Sequence, residues 1–366
     1  MSKPETRVSA NNTPVPPESD PPAQLTLDEG GDNAGVIIPE DPKRYQVWRI
    51  SGPSAHFSNP RLECSLQMTT SRHLEAVTSS VLDYRLENGR TYHAYKNGNL
   101  EQNMFLRTFG NRLGPAPPNE EKSNVGRVLD SGTGTGIWAT DFGEEHPDAE
   151  VIGVDLSVTW PNYMPTNVRV EIDDLEEPWI FSQPLNYIHS RNMQAVIIDC
   201  ASYIKKCYDN LAPGGYLEVN EVDLFPQSDD GTLKDDSAIL ESTRLIHECS
   251  TIFGRSPLKL EDLAEIMTSV GFEDVTAQKF KWHTNSWPKD AHYKELGAWC
   301  HDNLVAGWEG VSMAPFTRAL NWSNKEVIVF MVDVRKELAN KQIHAYFSVW
   351  SVYGRKSSTP KSPTVA

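Results

Sequence analysis

The chain has 366 residues, 39% of them hydrophobic, and its 34 basic against 50 acidic side chains give a formal net charge of −16. That is enough material for one large domain with additions, or for two domains. So acidic a surface argues against DNA, RNA or an anionic membrane as the main partner, because nucleic-acid affinity comes largely from basic groups on phosphates.

No stretch approaches the ~20 apolar residues of a membrane span, and the opening MSKPETRVSANNTP lacks the apolar segment of a signal peptide. An intracellular location, cytoplasmic or nuclear, is expected. The cysteines (Cys64, Cys200, Cys207, Cys249 and Cys300) are scattered and never spaced C-x-x-C. They read as reduced thiols packed as small apolar groups. No His/Asp/Glu cluster has metal-ligand spacing, so no metal is expected.

Residues 1–44 are rich in Pro, Asp, Glu, Ser and Asn, with few large apolar side chains. Such a segment buries too little surface to offset its ordering entropy, and a disordered leader is expected. Residues 45–114 read as a helical N-terminal cover. Tyr45, Trp48 and Phe57 are scattered aromatics, while Leu74, Val77, Val81 and Tyr84 recur at helical spacing. A turn then presents Tyr92, His93 and Tyr95, and a short helix over 97–113 is closed by Gly114-Pro115.

The stretch Arg127 to Asp155, RVLDSGTGTGIWATDFGEEHPDAEVIGVD, reads as strand, glycine loop, helix and strand. That is one βαβ unit with a right-handed crossover. Gly132, Gly134 and Gly136 let the backbone turn tightly and come close to a ligand. Asp155, closing the second strand, is placed to accept hydrogen bonds from a ribose diol. An adenosine-like ligand follows. A dinucleotide site needs G-x-G-x-x-G with a diphosphate on the helix N-terminus. Here the spacing is G-x-G-x-G, and Ile137 takes the last position of that fingerprint. Asp130, at the mouth of the loop, would repel a diphosphate but suit an ammonium and a sulfonium. S-adenosylmethionine (SAM) carries both and no phosphate. A glycine turn serving only strand-to-helix packing is the alternative.

Val168 to Ile172 is a third strand, ending in Asp173-Asp174, and Leu185 to His189 a fourth, followed by Ser190-Arg191. A helix over 195–211 and a Pro213-Gly214-Gly215 turn lead to a fifth strand, YLEVNEVDL, containing Glu218 and Glu221. Strands alternating with helices imply a parallel, doubly wound α/β sheet, whose ligands bind beyond the carboxyl ends of the strands. Asp130, Asp155, Asp173, Asp174 and the corner from His189 to Arg191 fall on that edge. Residues 235–253, 259–270, 290–306 and 325–338 read as helices, 275–282 and 343–353 as strands, and 357–366 as a disordered tail.

VLDSGTGTGIWA, VIGVDLS, the EIDD of 171–174, the YIHSR of 187–191 and LAPGGYLEVNE resemble the successive motifs of class I SAM-dependent methyltransferases. RTYHAYKNG, WPKDAHYKELGAW, MAPFTRALNWS and HAYFSVWSVYGRK resemble, more narrowly, the fungal LaeA-type methyltransferases. That group includes a nuclear regulator of secondary metabolism and relatives encoded in biosynthetic gene clusters. The resemblance implies a seven-stranded, mostly parallel Rossmann-like domain over 115–356 with helical additions, and SAM as cofactor. By position, Asp130, Gly132, Gly134 and Gly136 would line the methionine part. Asp155 would take the ribose hydroxyls, with Leu156 beside the adenine. Asp174, or Asp173, would meet the adenine amino group and the Leu175 backbone a ring nitrogen. Ser190 and Arg191 would flank the transferring methyl. Three departures from the family pattern are Ser131, where an apolar residue is usual, Asn186, where Asp is usual, and a shortened segment over 96–105. In the family that segment helps close the cofactor pocket.

Methyl transfer from a sulfonium needs alignment and exclusion of water, and a base only where the acceptor must lose a proton early. His189 and Glu221, with Tyr92 and His93, are the candidates. A histidine hydrogen-bonded at a strand end and a paired carboxylate are the plainer alternatives. Trp287, Trp299 and Trp308 wall a substrate pocket or belong to the core. The expected function is methyl transfer to a small-molecule acceptor in fungal secondary metabolism. The alternative is a nuclear regulator of the LaeA kind, acting through protein partners.

Overall fold

The structure, a computed structural model, describes residues 45–47, 86–87, 90–91, 95–157, 163–255 and 258–358. The expected leader, the helical spacing over 74–84, Tyr92, His93 and residues 359–366 of the tail lie outside the described residues.

Seven strands form the central sheet: β1 Arg127–Ser131, β2 Glu150–Asp155, β3 Val168–Ile172, β4 Leu185–Arg191, β5 Leu211–Val222, β6 Glu273–His283 and β7 Tyr346–Arg355. Their order across the sheet is β6-β7-β5-β4-β1-β2-β3. Strands β3, β2, β1, β4 and β5 are parallel neighbours, and β7 runs antiparallel to both β5 and β6. From β1 the chain first builds outward through β2 and β3, then returns to add β4 on the other side. That reversal creates the crevice in which such sheets bind ligands. In register, Asp130 lies opposite Gly153 on one side and His189 on the other, and His189 lies opposite Glu218.

The central strands are buried on both faces, as parallel strands between helices must be. Val128 packs with Trp138, Phe142, Val151 and Tyr187, whereas its neighbour Leu129 packs with Ile152, Ile188, Ile204 and Leu217. Helices α1 Tyr95–Thr108 and α2 Ile137–Glu145 belong to the first side, and α3 Cys200–Asn210 and α5 Leu263–Val270 to the second. A further layer, α4 Ala238–Ile252, α6 Ala291–Ala319 and α7 Asn324–Ala339, packs around Trp308, Phe316 and Phe347 of β7. Helix α1 joins α6 and β6 through Met104, Phe105, Trp282 and Cys300.

Several elements differ from the sequence reading in extent: the helix read over 97–113 ends at Thr108, the strand read over 343–353 spans Tyr346–Arg355, and two helices differ further. The helix read over 195–211 begins only at Cys200. Asp199 caps it by accepting from the Ala201 and Ser202 amides, and β5 follows directly at Leu211, absorbing the Pro-Gly-Gly turn. The helix read over 290–306 continues to Ala319, straight through Pro315. Gly307, Gly310 and Pro315 look like punctuation locally, but Trp308, Ser312, Met313 and Phe316 are buried against α4 and α7, and that packing carries the helix on. Ser323 and Glu326 close a capping box at the start of α7.

Candidate active site

The glycine loop folds over the end of β1. Gly132, Gly134 and Gly136 have φ of 74°, 54° and 72°, a region an L side chain enters only with strain. The Gly132 and Thr133 amides both donate to the Val154 carbonyl (2.9 Å each), and the Gly134 amide donates to Asp155 Oδ2 (2.9 Å). Those bonds fasten the loop to the end of β2. A Cβ on Gly132 would overlap the Met193 sulfur, while a Cβ on Gly134 would meet nothing within 4 Å. The backbone therefore has open space beside it at Gly134, a cradle that a side chain would fill.

Around that cradle stand the outer residues of the site. Asp155 is half-buried, and its Oδ1 accepts from the Ser157 amide and hydroxyl (3.0 Å each). Leu156 is 57% exposed, an apolar face next to the acid. Asp173 is exposed and Asp174 partly so, and the Asp173 amide donates to the Asp155 carbonyl (3.2 Å). Leu175 is buried, its carbonyl accepting from Lys206 Nζ (2.8 Å) and Trp179 Nε1 (3.1 Å).

Other predicted residues lie a layer deeper. Asp130 is 3% exposed; its Oδ2 accepts from the Thr133 hydroxyl (2.6 Å), and its Oδ1 meets His189 Nδ1 at 2.8 Å. A carboxylate in that position accepts, so the imidazole proton sits on Nδ1. The His189 ring is 1% exposed and stacks on Trp138 at 3.8 Å between centroids. Among the described residues its Nε2 has no hydrogen-bond partner. Ser190 is fully buried, and its hydroxyl accepts from Tyr203 of α3 (3.0 Å). Ser131 Oγ lies 2.6 Å from the same phenol oxygen. The unusual serine in the first motif is thus satisfied by a buried tyrosine, whose phenol burial pushes well above its ordinary range. The other departure, Asn186, accepts from the Arg127 amide through Oδ1 (2.8 Å) and ties β4 to the start of β1.

Arg191 ends β4 and reaches α1. Its Nη1 donates to Gln102 Oε1 (2.6 Å), Gln102 Nε2 donates in turn to Asp141 of α2 (2.7 Å), and the guanidinium lies over the Phe105 ring. Asn192 Nδ2 donates to Glu101 Oε1 (2.7 Å). The shortened segment over 96–105 therefore still forms a helix that is tied to the strand ends. Burial holds the Asp141 carboxyl above its usual range, with Gln102 pulling it back.

Glu221, near the end of β5, is 2% exposed. Its Oε1 accepts from the Met193 amide (2.8 Å), and its Oε2 has no hydrogen-bond partner among the described residues. Burial pushes its carboxyl up to about 8. It lines a cavity of about 480 Å³ walled by Met104, Trp282, Leu304, Trp308 and Phe347. Of the three tryptophans named from sequence, Trp308 belongs to this wall, while Trp287 stacks on His344 and Trp299 packs on the α1 cluster. Sequence reasoning missed Thr133, Trp138, Met193 and Gln102. The GTGTG motif held a signal for Thr133, three residues after the acid it serves, and nothing local marked the others. Among the described residues no three His, Cys, Asp or Glu side chains converge on a metal site, and no helix is long and apolar enough to cross a membrane.

The strand order, the glycine cradle and the acids at successive strand ends define a class I methyltransferase. A model of the methyltransferase domain matches residues 100–277. The chain is 34% identical over 305 residues to methyltransferase pytC of Aspergillus terreus, covering 79% of this chain and 93% of that one. It is 31% identical to the secondary metabolism regulator LAE1 of Cochliobolus heterostrophus (72% and 92% covered) and to the probable methyltransferase tdiE of Emericella nidulans (73% and 83%). The chain belongs to the fungal LaeA-type methyltransferases, and its cofactor is SAM. The residues present fit that cofactor: an open glycine backbone, a ribose-height acid and an exposed leucine lie together. Asp155→Ala is expected to weaken SAM binding by roughly 1–3 kcal/mol, the scale of a hydrogen bond to a charged group. Calorimetry checks this, and an unchanged dissociation constant would remove Asp155 from the site.

Proposed function

We propose that the protein transfers the methyl group of SAM to a small-molecule acceptor of fungal secondary metabolism. In this reading the acceptor occupies the cavity beside Glu221. The observation that carries it is the buried Glu221 carboxyl, one oxygen without a partner, in an aromatic-walled cavity next to the end of β4.

SAM supplies an electrophilic methyl on a sulfonium. The chain's own residues then have distinct tasks. Gly132, Gly134 and Gly136 expose backbone beneath the methionine part, Asp155 takes the ribose hydroxyls with Leu156 on the adenine, and Asp174 or Asp173 with the Leu175 backbone reads the ring edge. Asp130 offers a cation its field rather than an exposed face, because His189 and Thr133 hold both its oxygens. His189 is therefore a positioning residue for Asp130, and Ser190 one for α3 through Tyr203. Arg191 and Gln102 hold α1 against the strand ends, which excludes water from the reacting atoms. Glu221 accepts the acceptor's proton as the bond to carbon forms.

Purified protein given labelled SAM and an extract of a strain lacking this gene is expected to label a small molecule. Absence of label would overturn the reading. The similarity to LAE1, a regulator by name, favours a second reading in which the SAM fold acts through protein partners. That reading gains if no metabolite is labelled while Gly134→Arg still abolishes metabolite gene transcription.

A further inference from the structure

The polar groups lining the Glu221 cavity have an unusual balance. They comprise two carboxylates, Glu101 and Glu221, and the amides of Asn192, Gln194 and Asn303. Among the described residues no Lys, Arg or His side chain lines it. The nearby guanidinium of Arg191 is committed to Gln102 and Phe105, and Glu101 already accepts from Asn192.

We propose that the acceptor is a flat, apolar molecule without carboxylate or phosphate, carrying a hydroxyl or N–H hydrogen at the atom that is methylated. The inference rests on the cavity being the acceptor site. An anionic acceptor would lose its hydration on entry and find the carboxyl groups of Glu101 and Glu221 and no cationic side chain, and an unpaired buried charge is costly. A neutral O–H or N–H instead can hydrogen-bond with the carboxyl and amide groups of the lining and brings no unpaired charge. Trp282, Trp308 and Phe347 make the lining largely aromatic, which suits a planar aromatic body. A volume of about 480 Å³ lies in the range of sites for drug-sized ligands.

Two probes on the same ring system, 2-naphthol and 2-naphthoate, test the charge rule by saturation-transfer NMR on the whole protein. The naphthol is expected to bind at least tenfold more tightly. Gly307→Leu provides the control: Gly307 lines the cavity from α6, and a Cβ there would meet nothing within 4 Å. Leucine at this position fills the cavity while removing a helix-interior glycine, so folding is not weakened. Naphthol binding is expected to fall at least tenfold in that variant, with SAM affinity kept. Equal or tighter binding of naphthoate, no binding of naphthol, or naphthol binding indifferent to Gly307→Leu would each overturn the proposal. None of these readouts needs methyl transfer, so loss of the charge rule and failure of the methyltransferase reading give different results.

Discussion

Gly134→Ala is expected to raise the dissociation constant for SAM roughly a hundredfold, about 2.7 kcal/mol, while the melting temperature falls by only a few degrees. The two effects separate because of where the new methyl group goes. At φ 54° an alanine pays the left-handed strain of roughly 1–2 kcal/mol. Among the described residues its Cβ would meet no atom within 4 Å. In the proposed reading that space is the cradle in which the cofactor would lie against backbone. Gly132→Ala provides the contrast. It carries the same strain, and its Cβ runs into the Met193 side chain, an overpacking effect of roughly 1–3 kcal/mol. There the melting temperature drops first. Calorimetry with SAM and thermal denaturation of both variants check the pair. Unchanged SAM affinity in Gly134→Ala would mean the cofactor does not lie over the loop.

Glu221→Gln is expected to lower kcat roughly a hundredfold or more, the range for a lost general base, and to flatten the pH profile. In the wild type the ionised form appears as pH rises through about 8, because burial outweighs the Met193 and Gln194 amides, and Glu101 adds repulsion. Turnover on an O–H or N–H acceptor therefore climbs to a plateau above that pH. The neighbouring Cys200 thiol, pushed up to about 12, titrates too high to produce this limb. Stability moves the opposite way. The folded chain keeps a proton that the unfolded chain releases near the usual 4.5, so wild type loses stability between about pH 4.5 and 8 and has none left to lose from this group above it. Glutamine does not titrate. The difference in melting temperature, wild type minus variant, is expected to fall from pH 5 to pH 9. Parallel melting curves together with a parallel pH profile would show that Glu221 is neither buried neutral nor the base.

What could be read from the residues alone was what the chain encodes locally. The GTGTG loop and Asp155 sit within one βαβ unit, so the loop's tight turns and its place beside Asp155 were legible from spacing. His189, Ser190 and Arg191 were assigned to the right edge but not to the right depth. Depth is set by neighbours across the sheet and by helices far along the chain: Trp138 covers His189, Tyr203 takes Ser190, and Gln102 receives Arg191 across 89 positions of sequence. Glu218 is a similar case. It looked like the twin of Glu221, yet it accepts from Asn119, Tyr187, Asn220 and the Ala116 amide in a buried network, well supplied with donors. Glu221, three positions on, is met only by the Met193 and Gln194 amides among the described residues and lines a cavity. No periodicity distinguishes the two.

Helix α1 touches both halves of the reaction. Through Gln102 it is bonded to Arg191 at the strand end, and through Glu101 and Met104 it walls the cavity beside Glu221. Any displacement of this helix that accompanies the arrival of one ligand is therefore felt by the other. Thermodynamic reciprocity makes the influence equal in both directions: if methyl donor sharpens the grip on acceptor, acceptor sharpens the grip on donor by the same factor. If the donor and acceptor bind as proposed, one short helix would give the two substrates a common lever.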